Sequence, residues 1–217
     1  MPAPVVWWLK QDFRLADNPA LTAAVVDAEA QRTTVLPVLL FEPTVISAEE
    51  TSAPEAFDRL RATVGIAAIH AHEEYGSDVT FTRDKAVRRW AKTNGVALHE
   101  HQQTGVFRPL RDRDARTKHW KQFMAGGPLP APDAEALQRV RVTEAARALE
   151  ASEAGLLDDL AEAPAAVAAA FGHPLTEAQQ THRQPVSEMA AQATLDDFLG
   201  RRGLCYSGGI SSPNTAF

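Results

Sequence analysis

Four short apolar runs, each followed by a helix-favouring stretch, constrain this chain more than any other feature. They are residues 5–10 (VVWWLK), 35–42 (VLPVLLFE), 66–74 (IAAIHAHEE) and 96–103 (VALHEHQQ). The first two are near-continuously apolar and read as strands covered on both faces; the last two turn polar towards their ends. The stretches between them carry helix signals. Asn18 is placed to cap a helix with Pro19 at its first position, continuing through ALTAAVVDAEAQ. Pro54 opens an amphipathic helix over 54–63. Residues 80–94 place Phe81, Val87 and Trp90 near helical spacing, and Asn94-Gly95 stops them. Strands alternating with helices specify βαβ units. The expected fold class is therefore α/β: a Rossmann-like, mostly parallel sheet flanked by helices, with right-handed crossovers. Ligands of such sheets sit beyond the carboxyl ends of the strands.

The character of the chain then changes. Gly126 to Ala134 (GGPLPAPDA) breaks the pattern. Residues 134–171 are rich in Ala and Glu without strand alternation, and residues 186–200 form an amphipathic helix with Met189, Leu195, Phe198 and Leu199 on one side. The expected organisation is an α/β domain over 1–125, a helical or irregular linker over 126–185, and an incomplete helical domain over 186–217.

Composition narrows the partners. A net charge of −6 has the wrong sign for a chain that grips nucleic acid with its whole surface. Arg108 to Lys121 is the best candidate for a local basic patch; its plainer reading is a solvated helix face. No apolar run is long enough to span a bilayer, and MPAPVVWWLKQDFR does not read as a secretory signal. Cys205 stands alone, which fits a reducing, cytoplasmic setting and a small apolar role for the residue.

Two His pairs, His70-x-His72 and His99-x-His101, have strand spacing, so each pair shares one face. If the strands are neighbours, four imidazoles converge in a geometry that suits zinc or copper. The plainer reading bonds them to water and nearby carboxylates, and no metal is assigned. Glu73 and Glu74 follow a strand's carboxyl end, either as ligand contacts or as solvated loop carboxylates. No dinucleotide fingerprint and no P-loop is present.

Three blocks carry a resemblance. WWLKQDFRLADNPAL (Trp7 to Leu21) contains D-x-R-x-x-D-N-P-A-L, with Asp12, Arg14, Asp17, Asn18, Pro19 and Leu21 in place. His72 to Met124 contains Arg83-Asp84, Trp90-Ala91, Glu-His-Gln-Gln-Thr-Gly and the Arg111 to Asp114 turn. Phe198 to Phe217 reads FLGRRGLCYSGGISSPNTAF. Together they resemble the photolyase/cryptochrome family. The resemblance implies FAD as cofactor, with Tyr206 helping to hold its phosphates, and a folate or deazaflavin antenna near Glu73 and Glu74. It implies damaged DNA as partner and blue-light repair of pyrimidine dimers by electron transfer from FAD, a carbon-carbon lyase reaction. A cryptochrome-type photoreceptor and a truncated remnant or split half, completed by a separate helical domain, stay open as alternatives. No catalytic residue is assigned. Only 24 residues (42–65) separate the second and third strands, where the family fits a further βα unit. The sheet is thus expected to have four strands, with 35–42 at an edge guarded by little besides Pro37. The chain alone is expected to bind FAD weakly and to be inactive.

Overall fold

Four strands form one parallel sheet: β1 (Val5–Leu9), β2 (Val35–Leu39), β3 (Ala68–His72) and β4 (Ala97–His101), in the order β2-β1-β3-β4. The computed structural model describes residues 2–10, 12–40, 53–107, 112, 114–141 and 187–206. Helices α1 (Pro19–Ala30), α2 (Ala53–Val64) and α3 (Asp78–Asn94) make the three crossovers. From β1 to β2 the chain moves one way across the sheet; from β2 to β3 and on to β4 it moves the other. Right-handed crossovers run in opposite directions must lie on opposite faces. Accordingly α1 packs on Val5, Trp7 and Val35, whereas α2 and α3 pack on Val6, Trp8, Leu36, Ile69 and Ala71. Phe57 of α2 centres the second core, edge-on to Trp8 (centroids 5.2 Å apart) and stacked on Trp90 (5.5 Å).

The local signals act as their chemistry requires. Asn18 Oδ1 accepts from Leu21 N at 2.9 Å to cap α1, and its Nδ2 donates to Arg14 O at 2.8 Å. Gly95 ends α3 in the left-handed region at φ +66°, where a side chain would be strained.

The edge at β2 is less bare than its sequence implies. Val35 bridges Val140, through Val35 N to Arg139 O and Arg141 N to Val35 O, both 2.8 Å. Because Val35 N points outward, Pro37 two residues on also turns its missing donor to the outside, where it costs no ladder bond. The strand stops at Leu39, short of the expected 42. Of the segment between β2 and β3, residues 53–64 are helix α2; residues 41–52, where a further strand would begin, lie outside the described residues. Residues 126–141 include the one-turn α5 (Ala134–Leu137), and Ala136, Leu137 and Val140 pack on the α1 side of the sheet. The rest of the expected linker, 142–186, lies outside the described residues.

The chain divides into two units, Met1–His173 and Pro174–Phe217. The second contains α6 (Glu188–Gly200), capped by Ser187 Oγ accepting from Ala190 N at 3.0 Å, and a 3-10 turn over Arg202–Cys205. Among the described residues no helix is long and apolar enough to cross a membrane.

Candidate functional site

The strand order reverses direction between β1 and β3, so the loops leaving their carboxyl ends part to opposite faces and open a crevice. A cavity of about 300 Å³ lies there, lined by Lys10 and Asp12 after β1, His72 to Gly76 after β3, and Gln103, Thr104 and Val106 after β4. A second, of about 390 Å³, shares Gln103 and runs between Asp17-Pro19 and the Phe123–Leu129 stretch.

The floor of the crevice is charged and buried. Lys10 Nζ donates to Asp84 Oδ2 at 2.5 Å and to His72 O at 2.7 Å, with side-chain exposures of 5% for Lys10 and 1% for Asp84. Burial lowers the Lys10 ammonium below its ordinary value, against the opposing pull of Asp84. Arg83 donates to Asp84 Oδ1 at 2.9 Å and to Glu74 Oε2 at 3.2 Å. Lys10 and Arg83 both lie over the Trp8 ring, at 4.4 and 5.1 Å from its centroid. Two cations and two carboxylates therefore balance, and Glu74, which also accepts from Gly76 N at 2.6 Å, is a buried member of this network rather than a solvated loop group. Glu73 accepts from the Tyr75 hydroxyl.

Asp12 is part of the cavity lining. Arg14 Nη1 donates to its Oδ1 at 3.2 Å. Its buried Oδ2 pairs with His72 Nδ1 at 3.0 Å. Burial would raise this carboxyl, yet His72 and Arg14 more than offset that and hold it below the ordinary carboxylate value. The rest of the D-x-R-x-x-D-N-P turn is structural. Arg14 donates to Asp17 O at 2.6 Å, and Asp17 adopts φ +51° while exchanging bonds with Leu129, N to O at 2.7 Å and Oδ1 from N at 3.1 Å.

The remaining expected sites fall elsewhere. The two His pairs do meet: β3 and β4 are neighbours, in register His70 to His99 and His72 to His101. His72 turns to Asp12 while the other three cluster beside α1. Tyr206 ends the 3-10 turn, 42% exposed and edge-on to Phe198. Cys205 is exposed rather than packed as a small apolar residue. Of the basic segment, α4 (Ala115–Ala125) buries no residue, as a solvated helix should. Sequence reasoning missed Lys10 and Asp84 as a pair; the signal was a lysine ending an apolar run, a position that burial tolerates only with a partner.

Residues 5–53 match the DNA photolyase family model, a span that includes β1, α1 and β2. The match reaches no residue of β3, α3 or β4. The photolyase-type turn that the sequence shows at Asp12 to Leu21 lies wholly within the match. Among solved structures, a bacterial class III photolyase from Agrobacterium tumefaciens resembles the chain at 16% identity and a TM-score of 0.45, over 97% of this chain and 60% of that one. The chain thus spans three-fifths of the length of that photolyase. No curated protein sequence matches it.

Proposed function

We propose that this chain serves a photolyase/cryptochrome-like flavoprotein in blue-light-driven repair of pyrimidine dimers in DNA, and that its α/β domain holds a folate-type antenna in the crevice. The carrying observation is the cavity at the switch point between β1 and β3, with Asp12 in its lining. The amino and ring N–H edge of a pterin offers two adjacent donors, which suits a carboxylate better than the single imide N–H of a deazaflavin. Gln103 and Thr104 add polar contacts at the rim, and a cavity of about 300 Å³ is at the small end of the usual range for ligand sites. An antenna there would absorb light and pass the excitation on. This chain's residues would orient the ring and exclude water.

FAD supplies the electron for repair when bound. In this reading Tyr206 donates its hydroxyl to an FAD phosphate, and most of the flavin site comes from a complementing helical domain. Exposed Met189, Leu199 and Leu204 in the second unit support such a partner. The test is a fluorescence titration of the full chain with a reduced folate. One folate per chain is expected, with binding weakened in Asp12→Asn and Gln103→Ala variants whose circular dichroism is unchanged. Absence of binding, or equal binding by both variants, would remove the antenna assignment.

A further inference from the structure

A four-stranded sheet needs about two helices to cover each face. On the α1 side, α1 covers β1 and β3, and Ala136, Leu137 and Val140 supply the cover beside Val35 of β2. Among the described residues β4 has little cover there, and of its residues facing that way, Ala97, His99 and His101, two are polar where a covered parallel strand would be apolar. Across the register from His99 is His70, only 5% exposed. Asp27 of α1 completes the group.

We propose that Asp27, His70 and His99 bind a divalent first-row transition ion of the zinc class, with His101 and Gln31 as orienting groups. One ligand atom from each of the three lies within 4.8 Å of the others. His70 Nε2 is 3.1 Å from Asp27 Oδ2. The His70 and His99 rings are 4.8 Å apart with planes 27° from parallel. Two nitrogens and one carboxylate oxygen, on a face open at His99, leave room for water to complete the shell.

The groups behind the ligands strengthen the assignment. Metal-binding imidazoles usually bond through the other ring nitrogen to an orienting partner. His70 Nδ1 lies 2.9 Å from His101 Nε2. Asp27 Oδ1 accepts from Gln31 Nε2 at 2.8 Å, which leaves Oδ2 toward the histidines. On binding, His70 presents Nε2 to the ion and keeps its proton on Nδ1, donated to His101 Nε2, while His101 carries its proton on Nδ1. Each ring holds one proton throughout, so the tautomers exchange without net proton release.

The experiment uses the full chain freed of metal with a chelator, then titrated with Zn²⁺ against a chromophoric competitor. One Zn²⁺ per chain is expected, with a rise in melting temperature. Asp27→Asn and His99→Ala should each weaken binding about 100-fold and abolish the rise. Both positions are partly or fully exposed, so these variants should fold. His101→Phe should weaken binding about tenfold, as loss of an orienting partner does. His119→Ala, on α4, should bind as wild type. No uptake of Zn²⁺ by the wild type, or wild-type affinity in His99→Ala, would overturn the site.

Discussion

Removal of the Asp84 carboxylate tests the charged floor of the crevice most sharply. Lys10 and Asp84 are almost wholly buried and 2.5 Å apart, and Arg83 faces the same carboxylate. In Asp84→Ala, Lys10 keeps one bond, to His72 O, but shares its pocket with a second cation and no carboxylate in contact. Breaking one side of a buried pair in this way costs about 3–5 kcal/mol. With a urea dependence of about 2 kcal/mol per molar for a domain of this size, the unfolding midpoint should fall by about 2 M. The double variant Lys10→Met/Asp84→Leu should recover most of the loss, because paired apolar replacements of buried ions are often neutral. pH supplies an independent reading. Lys10 titrates lower in the fold than its unfolded value of 10.5. Its charge is therefore a penalty that is fully present below the folded pKa and relieved as pH rises through it toward the unfolded value. In Asp84→Asn the pull of Asp84 is gone and Lys10 titrates lower still, so stability should climb more between neutral pH and pH 10 than in wild type. A cost below about 1 kcal/mol for Asp84→Ala, or no recovery in the double variant, would refute the reasoning.

Phe57→Ala should cost about 3–5 kcal/mol by emptying the space between Trp8 and Trp90, read as a lower thermal midpoint with altered tryptophan fluorescence. Asn18→Ala should cost about 1–2 kcal/mol in urea unfolding, since it removes the α1 cap and the bond to Arg14 O together. Gly65→Ala should lower the melting temperature: Gly65 has φ +77° and an added Cβ would lie 2.9 Å from Ala3 Cβ, so strain and contact act together. The chain alone should retain little FAD on gel filtration. Tyr206 offers one phosphate bond, worth up to about 3 kcal/mol, against the roughly 8 kcal/mol of micromolar binding.

The sheet was legible because β1 is covered on both faces and is apolar throughout, and β3 keeps Ala68, Ile69 and Ala71 beside its two histidines. Its limits were less so. Leu40 prolongs the apolar run beyond the end of β2 and packs against the core, because apolarity records burial and not hydrogen-bonded pairing. The caps at Asn18 and Gly95 were legible because each needs a particular side chain or its absence. The sites were only half legible. His70, His72, His99 and His101 show their shared face through period two, but Asp27 sits in an Ala- and Val-rich helix, and only the fold brings it to His70. Lys10 and Asp84 are 74 positions apart, and nothing local marks them as partners. Val140 guards the β2 edge from a segment that carries no strand pattern at all.

On the proposed reading, the α/β domain holds a light-absorbing heterocycle between β1 and β3. An absorption spectrum of the freshly purified chain, after incubation with reduced folate and removal of free ligand, tests it most directly. A near-ultraviolet pterin band at one equivalent per chain, without the paired bands of oxidised flavin, is the predicted result. A folded chain that emerges with no pterin band, or yellow with stoichiometric flavin, would contradict it.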